Sequence, residues 1–243
     1  MHAVALDSRH FGQHLNLLTE MYRLRRRVFK DRLDWAVSVS GDLELDVYDA
    51  LNPIYLLVMS DEGNLVAGVR LLPTMGPTML ADTFPALLGG QAAPHSEKVL
   101  ESSRFCVDTK LASELAENGL NRATFILFAA MIEGARAVEA ESIVTVTDTR
   151  MERILRRAGW PLERIAPPQR LGQTMALAGY LQVSDQALAA MHHNAGVEGP
   201  VLLAPNSLGQ LRSDNDALSV SVATDMSYQG SKCWRTRGAA ELF

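Results

Sequence analysis

Seven charged residues stand in stretches where a soluble chain keeps apolar side chains. In "MYRLRRRVFKDRLDW" (21–35), a helical wheel at about 100° per residue puts Arg23, Arg26, Arg27 and Lys30 on one solvated arc, opposite Met21, Leu24 and Val28. Arg25 instead falls between Met21, Val28 and Phe29, on the apolar stripe. An unpaired buried guanidinium costs on the order of several kcal/mol, so Arg25 calls for an anion. The segment "ELDVYD" (44–49) offers Glu44, Asp46 and Asp49 around Tyr48. Arg70 interrupts the apolar run "LVAGVRLL", and Glu101 and Arg104 lie within "ESSRF". Three arginines and three or four carboxylates inside core elements predict one internal polar cluster. Its chemistry is either a salt-bridge network that holds the core or a site for proton transfer; both perturb titration.

The elements that must position these groups follow from periodicity. Residues 10–33 read as an amphipathic helix. "IYLLVMS" (54–60), the turn "DEGN" and "LVAGVRLL" (65–72) read as a hairpin. "TMLADTFPALLG" reads as a short helix ended by glycine, and "KVLESSRFCV" (98–107) as a strand. A helix over about 120–138, strand "SIVTVT" (142–147), helix "TRMERILRRAG" (149–159), a strand over 174–183 and helix "SDQALAAMHHN" follow. This alternation predicts an α/β domain with a mixed sheet over 1–194. From 195 to 243, Gly, Ser, Pro, Asn and Asp recur without apolar periodicity, which predicts a disordered C-terminal tail.

Composition narrows the function. The chain has 243 residues and a formal net charge of -5, which argues against bulk electrostatic binding of nucleic acid. Cys106 and Cys233 are too few for a disulfide framework and fit a reducing, cytoplasmic setting. The N-terminus has no signal-peptide pattern, and Glu133 interrupts the longest apolar run, so no membrane association is expected. His10 and His14, and the pair His192–His193, lack companions that would complete a metal site and read as surface residues.

"LRRRVFKDRLDWAV" followed by "ELDVYD" resembles the signature of the acyl-homoserine-lactone synthases, the bacterial autoinducer synthases. The matching positions are Arg25, Phe29, Arg32, Trp35, Glu44, Asp46, Tyr48 and Asp49, with Arg70, Phe84, Glu101 and Arg104 downstream. The resemblance spans about residues 5–190. It implies a GCN5-related N-acetyltransferase-like three-layer fold with a mixed central sheet. It also implies two substrates, S-adenosylmethionine and an acyl chain on acyl carrier protein, and the release of an acyl-homoserine lactone with methylthioadenosine for quorum sensing. S-adenosylmethionine is then a substrate, and no cofactor or metal is required.

Such a reaction needs a base, because an ammonium cannot attack a thioester and a free α-amino group has a pKa of roughly 8. Glu101, acting through a water, is the first candidate, with Asp46 and Asp49 as rivals. Lactonisation needs the substrate held folded. Trp35 and Phe29 can pack on adenine or face the sulfonium, Arg104 or Arg25 can pair the carboxylate, and Phe84 and Phe105 add apolar contacts. Phe29 and Phe84 could equally be plain core.

Two rivals are a generic acyl-CoA N-acyltransferase of the same fold, for which no Gly-x-Gly phosphate cradle is present, and a DNA-binding regulator, which needs Arg25 to face outward. On "TRMERILRR", Arg150, Arg153 and Arg157 share an arc expected to meet an acidic carrier protein, apart from Met151, Ile154 and Leu155. In "SIVTVT", alternation sets Ile143, Thr145 and Thr147 against Val144 and Val146, on a strand expected to border an acyl tunnel. Thr145 matches the family position where threonine accompanies 3-oxo-acyl chains, and Phe125, Phe128, Met79, Leu80 and Met175 are expected to make the tunnel apolar enough for a medium or long chain.

Overall fold

A computed structural model describes residues 1–112 and 119–203. In chain order the strands are β1 (His2–Leu6), β2 (Val39–Ser40), β3 (Leu43–Glu44), β4 (Ile54–Met59), β5 (Leu65–Pro73), β6 (Val99–Val107), β7 (Ser142–Asp148), β8 (Glu163–Arg164), β9 (Gln169–Leu171), β10 (Thr174–Gln182) and β11 (Leu202–Leu203). The α-helices are α1 (Leu15–Arg26), α2 (Met79–Asp82), α3 (Arg122–Ala137), α4 (Thr149–Ala158) and α5 (Asp185–Ala195). One sheet runs β11-β1-β4-β5-β6-β7-β10-β8, with β9 on β10, and β2 and β3 form a separate hairpin. The β1–β11 and β6–β7 pairs are parallel and the other pairs of the large sheet antiparallel, which makes it the mixed α/β sheet expected.

Alternation along the strands assigns the two faces. Ile143 of β7 joins the main core with α3, α4 and α5, whereas Val144 joins Leu80, Leu87, Ala176 and Ala178 on the other side. Among the polar-cluster elements, α1 and α2 lie on this second side. Gly68 of β5 faces Met21 of α1, and a Cβ there would stand 4.0 Å from Met21 Cγ and only 3.1 Å from Leu57 Cδ2 of β4. The second side is therefore where Arg25 meets the sheet.

Two irregularities shape the site. Gly68 pairs with Cys106 and Arg70 with Ser103, so one residue of β5 faces two of β6, Arg104 and Phe105: a β-bulge. Arg104 takes the left-handed conformation, φ 57°. The parallel β6–β7 register runs from Val99↔Ser142 to Ser102↔Thr145 and stops one residue before the bulge. It stops although β6 continues to Val107 and β7 to Asp148. The second irregularity is a six-residue π-helical segment, Arg27–Arg32, that extends α1.

The fold corrects several sequence expectations. The helix expected over 10–33 is a short 3₁₀ turn at Phe11–Gln13, then α1, then the π-helical segment; His14 gives α1 no side-chain cap. "TMLADTFPALLG" divides into α2 and a 3₁₀ turn, Pro85–Leu88, because Pro85 cannot continue the helical hydrogen bonding. Strands β1 and β11 were not anticipated. The boundary expected at residue 194 lies inside this unit, since Val201 is buried and β11 pairs with β1. The segment is held because the Glu133 carboxylate accepts from the N–H groups of Val201 and Leu202 and from His192 Nε2, at 2.8–3.1 Å. His192 is thus tied to α3 and is no surface bystander. The rest of the expected tail, with Cys233, lies outside the described residues. No described helix is long and apolar enough to cross a membrane.

Candidate active site

The predicted polar cluster forms. Arg25 donates from Nε to Glu44 Oε2 at 2.5 Å and with both terminal nitrogens to the Asp49 carboxylate, at 2.7 and 3.0 Å. Arg70 donates to Asp46 at 2.5 and 3.1 Å, to Asp49 Oδ1 at 2.8 Å and from Nε to Ser103 Oγ at 3.0 Å. Arg104 reaches Glu44 Oε1 at 3.0 Å and Asp46 Oδ2 at 2.7 Å. Three guanidinium groups and three carboxylates thus interlock as a neutral array, with Arg25, Arg70 and Glu44 almost wholly buried. The bulge admits Arg104 to it. Ser103 and Arg104 are adjacent yet both reach the cluster, which regular alternation would forbid.

The array is a rigid node, bonded on every side. Asp46 caps the 3₁₀ turn Val47–Ala50, accepting from Tyr48 N, while Asp49 Oδ2 accepts from Asp46 N. The buried Tyr55 hydroxyl donates to Asp49 Oδ1 at 2.7 Å. Burial opposes ionisation of Asp49, but the bonds and charges of Arg25 and Arg70 outweigh it and hold its carboxyl well below the usual range. Burial likewise opposes the charge of Arg25, and its bonds to Asp49 and the charges of Asp49 and Glu44 reverse that and hold it firmly protonated. Burial and the Asp49 charge push the Tyr55 hydroxyl far upward, so it stays a donor.

Glu101 stands apart. Its carboxylate is buried and accepts from Met79 N at 2.8 Å and Leu80 N at 2.7 Å, the first N–H groups of α2. No described cation forms an ion pair with it. Burial raises its proton affinity above the ordinary glutamate value, and the two backbone bonds offset this only in part. Glu101 and Asp49 are therefore shifted in opposite directions, the first toward the neutral acid and the second toward the carboxylate.

The other expected site residues divide between two places. Phe29 is buried between the half-exposed Trp35, stacked at 5.3 Å and 13°, and the Arg104 guanidinium, 5.7 Å from its ring centre. Trp35, not Phe29, therefore presents a ring to solvent. Phe84 packs with Tyr48, Leu72 and Met79 beside the cluster. Phe105, turned by the bulge, packs at 5.1 Å on Phe128 across the sheet and does not join the cluster. The residues expected to line one tunnel do not adjoin: Met79 and Leu80 are on the cluster side, Phe125 and Phe128 in the opposite core, and Met175 is exposed. Thr145 donates to Ser102 O at 3.2 Å, at the last paired residue before the opening between β6 and β7. Arg150, Arg153 and Arg157 lie on the exposed face of α4, with Leu155 buried beneath.

Sequence reasoning missed several fastenings. Arg23 binds Asp42 at 2.6 Å and Arg26 binds Gly41 O, stapling the β2–β3 hairpin that carries Glu44 onto α1. Arg27 binds Asp108 at 3.2 Å, and Arg32 binds Val107 O and Thr109, fixing the π-helical segment to the end of β6. The arc expected to be merely solvated is thus largely engaged. Glu152, buried within the basic helix α4, is gripped at both oxygens by Arg164. Composition near Asp42 and Asp108 was the only available signal, because both pairings depend on tertiary approach.

Residues 10–191 match the family model described as autoinducer synthase. The chain belongs to the autoinducer synthase family. A probable acyl-homoserine-lactone synthase of Sinorhizobium fredii (strain NBRC 101917 / NGR234) is 47% identical over 182 residues, 74% of this chain and 87% of that protein. The crystal structure of the AHL synthase LasI is similar with a TM-score of 0.69 and 32% identity, over 82% of this chain and 98% of LasI. A CoA-dependent acyl-homoserine lactone synthase, BjaI, solved with SAM and isopentyl-CoA, shares the fold at 21% identity and a TM-score of 0.75, over 84% of this chain and 92% of BjaI. As an autoinducer synthase the chain is an acyltransferase, of the acyl-homoserine-lactone synthase type, with the GCN5-related α/β fold that the resemblance implied.

Proposed function

We propose that this synthase acylates the amine of S-adenosylmethionine from an acyl thioester carried on acyl carrier protein, then closes the lactone and releases methylthioadenosine, as a cytoplasmic enzyme of quorum sensing. The observation that carries the reading is the division of labour among the carboxylates. A general base must have a proton affinity near the working pH. Asp49 is held ionised by two arginines, and Glu44 and Asp46 are likewise committed to guanidinium groups. Glu101 alone among the candidate carboxylates lacks an arginine partner and has its proton affinity raised. It is the group suited to take the amine proton, through a water, because its lone pairs toward α2 are occupied.

The array then serves as the electrostatic frame. Arg104 on the bulge and Arg25 can each exchange a protein carboxylate for that of the substrate, and the exposed ring of Trp35 offers a face to adenine or the sulfonium. Lactonisation is intramolecular and requires chiefly that the methionine chain be held folded. Carrier protein as donor is supported by the exposed arginines of α4, which suit an acidic partner; the rival donor is a coenzyme A thioester, as in BjaI. A 3-oxo substituent within reach of Thr145, on a chain of medium or greater length, completes the reading. Purified enzyme supplied with S-adenosylmethionine and either octanoyl carrier protein or octanoyl-CoA tests it by mass spectrometry of the products. Lactone and methylthioadenosine in equal amounts, faster from the carrier, are expected; lactone from coenzyme A alone would overturn the donor assignment.

A further inference from the structure

We propose that Tyr55, backed by Tyr22, is a positioning residue of this synthase: it pins Asp49 so that Arg25 and Arg70 stay in place when Arg104 leaves the array for the carboxylate of S-adenosylmethionine. The inference rests on the reading above that S-adenosylmethionine binds at this array. Tyr55 lies on β4 directly opposite Arg70 of β5, so both side chains project from the same face of the sheet. Both are fully buried. The Tyr55 hydroxyl donates to Asp49 Oδ1 at 2.7 Å, and its ring is held by Phe11, stacked at 5.6 Å, and by Tyr22, edge-on at 6.3 Å and 83°. A tyrosine hydroxyl has one proton, and that of Tyr55 goes to the carboxylate, so Tyr22 donates in the 3.3 Å link between the two hydroxyls. The Tyr22 ring also carries the Arg25 guanidinium, 5.4 Å from its centre. A directed chain thus runs from the half-buried Tyr22 through Tyr55 to Asp49.

Asp49 takes five donors: Arg25 Nη1 and Nη2, Arg70 Nη1, the Tyr55 hydroxyl and Asp46 N. These saturate the roughly four lone-pair sites of a carboxylate. Of its side-chain donors, only Tyr55 carries no charge. The two arginines are shared, since Arg25 also serves Glu44 and Arg70 also serves Asp46. Arg104 bonds the same two acids, Glu44 and Asp46. Its side chain is 14% exposed, against 1% for Arg25 and 0% for Arg70, so of the three guanidinium groups it is the one a substrate carboxylate reaches. When Arg104 turns to the substrate, Glu44 is left with Arg25 and Asp46 with Arg70. A neutral donor on Asp49 lessens the draw of Asp49 on those two arginines and leaves them to Glu44 and Asp46. Without it, Asp49 competes for Arg25 and Arg70, Glu44 and Asp46 hold Arg104 harder, and the substrate carboxylate has a tighter pair to displace.

The test measures lactone formation by wild type and Tyr55→Phe with octanoyl carrier protein saturating, and compares two ligands of the same site. One is S-adenosylmethionine, through its KM; the other is decarboxylated S-adenosylmethionine, which keeps adenosine, sulfonium and amine and lacks only the carboxylate, through its inhibition constant. Tyr55→Phe should raise the KM for S-adenosylmethionine about tenfold, the low end for a lost hydrogen bond to a charged group, and leave the inhibition constant of the decarboxylated compound where it was. A hydroxyl that served packing alone would, on removal, weaken both ligands or neither, and either result in folded enzyme overturns the inference. Tyr22→Phe removes only the donor behind Tyr55 and keeps the ring under Arg25, so it decides the matter if Tyr55→Phe folds poorly. It should raise the same KM roughly two- to threefold with the decarboxylated compound again unmoved; where Tyr55→Phe is unfolded, an unmoved KM in Tyr22→Phe overturns the inference. Failure of the underlying reading looks different: the wild type itself forms no lactone from S-adenosylmethionine.

Discussion

Replacing Glu101 by Gln should cut activity and remove a pH dependence from stability. If Glu101 takes the amine proton, the amide removes a contribution of about 10²–10⁴ in rate, which is roughly 2.7–5.4 kcal/mol of transition-state stabilisation. Stability follows from the same burial. A carboxyl whose folded proton affinity is raised stabilises the fold below the unfolded glutamate pKa and withdraws that contribution as pH rises through the folded value. Each tenfold rise in affinity is worth about 1.4 kcal/mol, or roughly 3–6 °C in Tm for a chain of this length. The protonated carboxyl still accepts at its hydroxyl oxygen, whereas an amide nitrogen cannot, so Glu101→Gln gives up one of the two bonds from Met79 N and Leu80 N. The variant should therefore melt somewhat below wild type near pH 4 and close that gap as pH rises to 8. Single-turnover formation of acylated product, followed at several pH values, supplies the other half. A variant that melts lower at pH 8 while matching wild type at pH 4 would refute the raised proton affinity, and lactone at the wild-type rate would refute the base assignment.

Other consequences are checked separately. Asp49→Asn leaves Arg25 and Arg70 short of an anion and should cost about 3–5 kcal/mol in urea unfolding; because the Asp49 pKa is depressed, this loss should be complete throughout neutral pH and fade only in strong acid. Removing residues 206–243 should leave soluble, active enzyme, whereas a chain ending at Gly199 strands the Glu133 carboxylate and should melt lower by several degrees in calorimetry. Arg150→Glu with Arg153→Glu should raise the KM for acyl carrier protein about tenfold and leave that for S-adenosylmethionine alone; an unchanged carrier KM retires the docking face. Thr145→Val should lower the preference for 3-oxo over unsubstituted chains by several-fold, since the hydroxyl must leave Ser102 O to serve the substrate, and equal ratios would make Thr145 a strand residue only.

Much of the site was legible because burial of charge is conspicuous in sequence. Arg25 on an apolar stripe, Arg70 in an apolar strand and three acids around Tyr48 had few ways to be stable except together, and the structure joins them. Strands β4–β7 and β10 and helices α3–α5 were legible from period, and in the structure Asn121, Asp148 and Ser184 each cap the helix that follows. What escaped depended on contacts between distant segments. β1 is short and partnered by β4 and β11 from far along the chain, so no local alternation marked its place. The staples from Arg23, Arg26 and Arg27 belong to residues that a wheel assigns to solvent. No single-residue periodicity could show Glu133 gathering the N–H groups of Val201 and Leu202.

The bulge at Arg104 shows why such departures fall at the site. A regular β6 would alternate its side chains strictly, sending Ser103 and Phe105 to one face and Arg104 to the other. Arg104 would then point into the α3 core, where a guanidinium has no anion, and Glu44 would keep only Arg25. One extra residue, at the cost of about 1–3 kcal/mol for a non-glycine at φ 57°, reverses both outcomes: Arg104 completes the array and Phe105 enters the core. The β6–β7 pairing ends two residues earlier, at Ser102, so the charge array is completed just beyond the last paired residues of these two strands. Local regularity is given up at the point where polar frame and apolar core meet.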